Sequence, residues 1–224
     1  MTPTLNEYYG KSIRIAPDGF SFYKHEGNRL AVKSFPHSSG ALMSTEAPAF
    51  FASGDALRII AARHIPLLVP AELYSPTKAR DYLALQFDTS RIGQTYSDPI
   101  GNYRAVYSLN QNDVDTLARL PFPHQVVSET ALTFQMLGQL NAVSALYVGI
   151  DNDFLDVAAV HRGEPLLANR FPLTDPTDIL FYVLHIIRQL NLHTPDMLLH
   201  FHGGEDRKLL QLFKKYQIKP IILQ

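Results

Sequence analysis

Residues 25–36 read HEGNRLAVKSFP and residues 161–172 read HRGEPLLANRFP. Both carry the phrase H-x-G-x-x-L-x-x-x-x-F-P, five of twelve positions shared, with a glycine and a proline among them. A turn glycine, then a strand-forming run stopped by proline, is the pattern of a hairpin and its second strand. A chain that carries it twice is expected to use one antiparallel hairpin in two places, and so to be built by internal repetition.

The surroundings of each copy extend the likeness. In the first, 12–16 (SIRIA) alternates and is rich in β-branched residues, Pro17-Asp18-Gly19 turns, 20–24 alternates again, and 30–35 makes a third strand before Pro36. In the second, strands are predicted over 145–150, 154–160 and 166–171, with a polar turn at Asp151-Asn152-Asp153 and Pro172 at the end. Each copy is therefore a three-stranded meander.

After the second copy, Thr174 or Asp175 caps a helix with Pro176 in its first turn and an apolar stripe of Ile179, Val183, Ile186, Ile187 and Leu190. A strand over 197–201, a Gly203-Gly204 turn, a helix over 206–216 and a strand over 218–223 follow. The second half thus reads βββαβαβ. The first half follows the same plan less regularly. Helix is predicted over 48–63, strand over 66–69 and helix from Ser75-Pro76 through Leu85. Strand is predicted over 103–109, a helix over 113–119 capped by Asn110 or Asn112, strand over 124–128 and helix over 129–140. The Gly-, Asp- and Pro-rich stretch 88–102 reads as a surface loop. The division between halves is placed near 140–143, giving domains 1–142 and 143–224.

The 224 residues, 46% of them hydrophobic, suffice for two small cores. A formal net charge of −1 gives no field that would attract nucleic acid. The absence of cysteine excludes disulfides, thiolate catalysis and cysteine-ligated metals. The first residues lack the basic and apolar regions of a signal peptide, and no apolar run approaches the length of a membrane span. A cytoplasmic protein is the expectation.

Two consecutive βββαβαβ halves resemble the duplicated ribonuclease-H-like architecture of the actin-like ATPases. Residues 145–172 resemble the first hairpins of the second domain in the pilus-assembly members of that superfamily. Residues 197–213 (MLLHFHGGEDRKLLQLF) resemble its adenosine-side strand, turn and helix. The SIRIAPDGFSF opening is similar to that of a bacterial family of unknown function assigned to this fold, over the whole chain. The resemblance implies an Asp-x-Gly turn in each half, the aspartate holding hydrated Mg²⁺ and the glycine baring backbone N–H groups to phosphate.

This chain departs from that pattern twice. The first half has Ile13-Arg14-Ile15-Ala16-Pro17, with Arg14 about where the aspartate belongs and Ala16 about where the glycine belongs. Pro17 removes a donor, and Asp18 follows it. The second half has Gly149-Ile150-Asp151, and Asp151 and Asp153 without a metal between them would repel a triphosphate. Gly203 and Gly204 keep the adenine side of a degenerate nucleotide cleft that Arg14, Asp18, Asp151 and Asp153 complete. Arg14 is open to two readings, a cation in place of the metal or an exposed strand residue between buried isoleucines. Alternation favours the exposed residue.

No G-x-S-x-G, G-x-G-x-x-G or P-loop motif occurs. His200 and His202 would share one strand face, near His193, Glu205 and Asp206, but nothing fixes a third metal ligand. His185, in the apolar helix, is expected to be a satisfied core or boundary residue. Tyr8, Tyr9, Tyr74, Tyr96 and Tyr103 fall in predicted tails or loops. Exposed aromatics there would suit a protein-binding surface, whereas packing is the simpler expectation. The expected function is a non-catalytic actin-like scaffold binding a protein partner or its own copies, with no cofactor. The alternatives are a divergent ATP·Mg-binding protein or kinase of the same fold, and a metal- or small-molecule-binding module at His200 and His202.

Overall fold

Hairpins form at both positions of the repeated phrase in the computed structural model. It describes residues 8–27, 29–36, 43–140, 142–151, 153–192, 196–201, 207–216, 218 and 220–223, the side chains of Pro176 and Arg207 excepted. Contacts divide the chain after Leu132 into two compact units.

The first unit begins with the expected meander: β1 (Ser12–Ala16), β2 (Gly19–Glu26) and β3 (Arg29–Pro36). Helix α1 (Met43–Phe50) leads to β4 (Leu57–Ala61), then β5 (Leu67–Pro70), α2 (Ala79–Ala84), β6 (Gln94–Ile100), β7 (Tyr103–Leu109), α3 (Gln111–Leu117) and β8 (His124–Ser128). The main sheet has the order β3-β2-β1-β4-β8, antiparallel across the meander and parallel from β1 to β8. Ile13 and Ile15 of β1 pack with Phe20, Phe22, Ile59 and Phe122 in its core.

Helix α4 (Glu129–Gln139) carries the chain across the division. The second unit then runs β9 (Ser144–Asp151), β10 (Phe154–His161), β11 (Glu164–Pro172), α5 (Pro176–Gln189), β12 (Asp196–Phe201), α6 (Arg207–Lys215) and β13 (Ile221–Ile222). Its sheet, β11-β10-β9-β12-β13, repeats the order and strand sense of the first. The βββαβαβ reading therefore holds, and the architecture is α/β with two ribonuclease-H-like lobes. Asp175 caps α5 in a reciprocal box with Asp178, Pro176 stands in the first turn, and Val183 and Ile186 reach the core beside Leu146, Val148 and Leu199. Among the described residues no helix is long and apolar enough to cross a membrane.

The two copies of the phrase are offset by one place. Gly27 (φ 63°) directly follows the last paired residue of β2, whereas Gly163 (φ 80°) follows Arg162 (φ 52°). Two successive positive φ values make the second connection a type I′ turn, which suits the strand twist. A register shift between Ala159 and Val160 takes up the extra residue, so that Phe35 and Phe171 both still pair across their hairpins.

Two expectations of local structure fail. The helix read over 48–63 ends at Phe50, and Leu57–Ala61 is a strand. It lies between two parallel neighbours and is buried almost throughout, so Ile59, Ile60 and Ala61 are apolar in succession and the alternation of a half-buried strand is lost. The stretch 88–102 is not all loop, because β6 pairs with β7. As an edge strand β6 tolerates Pro99 and polar residues that disguise it. With β5 it completes a third sheet, β5-β7-β6, inserted between β4 and α3 around Val69, Leu83, Ile92 and Val106. Tyr8 and Tyr9, placed in a tail by the sequence, are each 1% exposed, in line with the packing expectation.

The tightest backbone approach is at Gly19, where the β1–β2 turn closes. A β-carbon there would lie 1.9 Å from the Phe35 carbonyl oxygen, at a φ of +155°. Gly19→Ala is expected to cost about 3 kcal/mol in urea denaturation. Gly27→Ala, in open space, should cost about 1 kcal/mol, for its positive φ alone. Equal costs would show that the approach to Phe35 is unimportant.

Candidate functional site

The β1–β2 turn sits where the resemblance to actin-like ATPases places a phosphate loop. Ala16 pairs with Gly19, so Pro17 and Asp18 form its tip, and Asp18 is exposed. Proline at the tip supplies no N–H. Two residues upstream, the guanidinium of Arg14 donates to Glu129 through Nε–Oε1 at 2.7 Å and Nη2–Oε2 at 3.0 Å. The side chains are 4% and 9% exposed. Arg14 is therefore buried, contrary to the alternation argument. β1 is a central strand with both faces covered, and every one of its residues is buried.

Glu129 is held by its place in the chain. It is the first residue of α4, immediately after β8, where a carboxylate also meets the positive end of the helix dipole. Ser128 caps that helix by accepting from the Ala131 N–H, while its own N–H donates to Asp98 of β6 at 2.6 Å. The inserted sheet thus braces the start of the helix that supplies the partner of Arg14.

Two tyrosines lie beside the ion pair. Tyr9 and Tyr23 stack with ring centres 3.8 Å apart and planes 2° from parallel, and Tyr8 meets Tyr9 edge-on. Burial pushes both phenols above the usual tyrosine range; at both, the Arg14 charge acts downward and the Glu129 charge upward. Burial, reinforced by the charge of Asp98, does the same to Tyr107.

In the second unit the register places Gly149 where Arg14 stands in the first. Arg14 lies between Ser21 and Ile60; Gly149 lies between Asp156 and His200. The bare side of Gly149 is occupied. A β-carbon there would come within 2.7 Å of the Tyr147 ring, whose hydroxyl is 2.9 Å from His200 Nδ1. Asp156 makes a two-point ion pair with Arg170, both contacts 2.6 Å. Asp151, half-buried, pairs with Phe154 to close the turn; Asp153 is exposed, and its carbonyl accepts from the Leu173 N–H. The structure brings Arg14 to Glu129, and His200 to Tyr147. None of Glu129, Tyr23, Tyr147, Asp156 and Arg170 was singled out from the sequence. Their one local signal is Glu129, a carboxylate at the predicted strand-to-helix junction.

Gly203, Gly204, His193, His202, Glu205 and Asp206 lie outside the described residues. Among the described residues no group of three or more histidine or carboxylate side chains could hold a metal ion. His185 is exposed and stacked on Phe181, not part of the core, because it projects from the outer face of α5.

A family model described as "Protein of unknown function (DUF3822)" matches residues 2–219. Among curated proteins none matches the chain in sequence. A Bacteroides thetaiotaomicron crystal structure, described as a protein with actin-like ATPase fold and unknown function, is 20% identical. It superposes with a TM-score of 0.72 over 98% of this chain and 92% of that one. A structure of the PilM–PilN type IV pilus biogenesis complex superposes with a TM-score of 0.59 at 12% identity, covering 95% and 87%. Both likenesses establish the actin-like ATPase fold.

A buried ion pair has a distinctive mutational signature. Arg14→Met should cost about 3–5 kcal/mol by stranding Glu129, whereas Arg14→Met with Glu129→Leu should recover most of that loss. Additive costs in the double-mutant cycle would show that the two side chains act separately. Raised tyrosine pKa values mean that the folded state holds its phenolic protons more tightly than the unfolded chain. Stability should therefore be complete below about pH 10 and fall as pH rises above it, read as a declining urea midpoint. A midpoint that holds steady through pH 11.5 would contradict the buried tyrosine cluster.

Proposed function

The chain belongs to the DUF3822 family of unknown function, and we propose that it is a non-catalytic actin-like-fold protein that works by contact with a protein partner or with its own copies. The observation that carries this reading is the Arg14–Glu129 pair. Where the fold's ATPases are expected to place an aspartate for hydrated Mg²⁺, this chain has a cation buried and already matched to a carboxylate. A guanidinium repels Mg²⁺. One engaged through two hydrogen bonds to Glu129 would have to abandon a buried carboxylate to serve a phosphate, at a cost of several kcal/mol.

The backbone supports the same reading. Phosphate loops work by presenting bare N–H groups. Here the first turn offers Ala16 and Pro17, and Gly149 of β9 is covered by Tyr147. The residues present do not fit a magnesium nucleotide, and no step is assigned to one. The fold itself is compatible with a role in assembly, since one structural relative is seen in the PilM–PilN complex.

Melting temperature in millimolar ATP, with and without Mg²⁺, tests the proposal. A nucleotide at about 100 times its Kd would add about 2.7 kcal/mol, worth roughly 5–10 °C in a chain of this size. The expected result is no Mg²⁺-dependent rise. A rise of several degrees that requires both ATP and Mg²⁺ would replace the scaffold with a divergent nucleotide-binding protein.

A further inference from the structure

The parallel strands β1, β4 and β8 begin side by side, and their starting ends line a cavity of about 500 Å³. It lies at the opposite end of these strands from the Pro17–Asp18 turn. Its size falls within the range of small-molecule sites. Lys11, Arg58 and His124 contribute cationic or protonatable groups to the wall, and Ala56, Leu57 and Pro123 contribute apolar surface. The described wall contains no carboxylate.

The surrounding bonds determine what such a cavity can hold. Two of its backbone donors are committed: the Leu57 N–H to the Pro123 carbonyl at 2.9 Å, and the Arg58 N–H to the Lys11 carbonyl at 3.0 Å. The charge of the wall comes from side chains. Arg58 donates Nη1–H to the Tyr8 carbonyl at 2.9 Å, which fixes its guanidinium at the wall. His124 Nδ1 lies 3.0 Å from the Phe122 carbonyl. A carbonyl only accepts, so the proton sits on Nδ1 and this bond orients the ring at the wall. Lys11 pairs with Asp55 just outside the wall, holding that carboxyl below its usual range. The Asp55 side chain is 13% exposed but the lysine side chain is 52% exposed, so the ammonium keeps a solvent-facing side that an incoming anion can share.

We propose that this cavity binds a small organic anion, a carboxylate or phosphate monoester. Arg58 and Lys11 receive its charged head beside the His124 ring, and Ala56, Leu57 and Pro123 receive its apolar body. A planar guanidinium beside an ammonium matches the oxygens of either head group. The site is independent of the nucleotide question, because it uses none of the residues of the two turns.

Phenyl phosphate, benzoate and inorganic phosphate, each titrated against the full chain with amide NMR shifts as the readout, test it. The expected result is saturable shifts at Lys11, Leu57, Arg58, His124 and Gln125 for phenyl phosphate or benzoate, and the arm that saturates identifies the head group. Inorganic phosphate should bind more weakly, lacking the apolar body. Arg58→Gln and Lys11→Gln should each weaken binding about tenfold, as loss of one charged hydrogen bond does. The Lys11 side chain is exposed, so its variant decides the matter if Arg58→Gln disturbs the fold. Shifts that never saturate, binding mapped elsewhere, or unchanged affinity in Lys11→Gln would overturn the proposal.

Discussion

A guanidinium in the middle of a five-stranded sheet is tolerable only if a carboxylate meets it. Arg14 and Glu129 are 115 positions apart, and their two-point bond joins the first strand of the lobe to the helix that follows its last. Breaking such a pair from one side is costly, while losing both members together is not. The bond therefore says more about which structure forms than about how stable it is. It fixes the start of α4, which Ser128 caps and Asp98 braces from the inserted sheet. Tyr9 and Tyr23 stack beside it, and the charges of Arg14 and Glu129 act on both phenols in opposite senses.

The second lobe reaches a similar condition by other means. At the position equivalent to Arg14 it has a glycine, and it fills the vacated space with the Tyr147 ring anchored by His200. Its neighbouring carboxylate, Asp156, is matched to Arg170. Two sheets of identical order thus carry different polar solutions on the same face. The proposed scaffold reading rests on these positions, in which side chains satisfy one another where the fold's ATPases are expected to face magnesium and phosphate.

What was legible in the sequence was chemistry settled within a few residues. The turn glycines 27 and 163, the Asp175 cap and the alternation of the meanders act locally, and they specified the repeated hairpins and the βββαβαβ order. What was hidden depends on distant partners. Arg14 looked solvent-facing because alternation knows nothing of a second layer; its burial is decided by α4. Leu57–Ala61 looked helical because a strand buried on both faces loses its alternation. His185 was drawn into the core by the apolar company of its helix, yet it stacks on Phe181 at the surface. Tyr8 and Tyr9 looked like a tail because the ring that stacks on Tyr9, Tyr23, belongs to a distant strand.

The central claim is that the two turns no longer gather a metal and a phosphate. Paramagnetic broadening tests it without relying on activity or stability. With Mn²⁺ in place of Mg²⁺ and ATP in excess, amide resonances near a bound metal–nucleotide lose intensity selectively. The account predicts that residues 14–21 and 149–154 broaden no more than other amides of similar exposure. Selective loss of those two segments together, reversed by removing ATP, would contradict it.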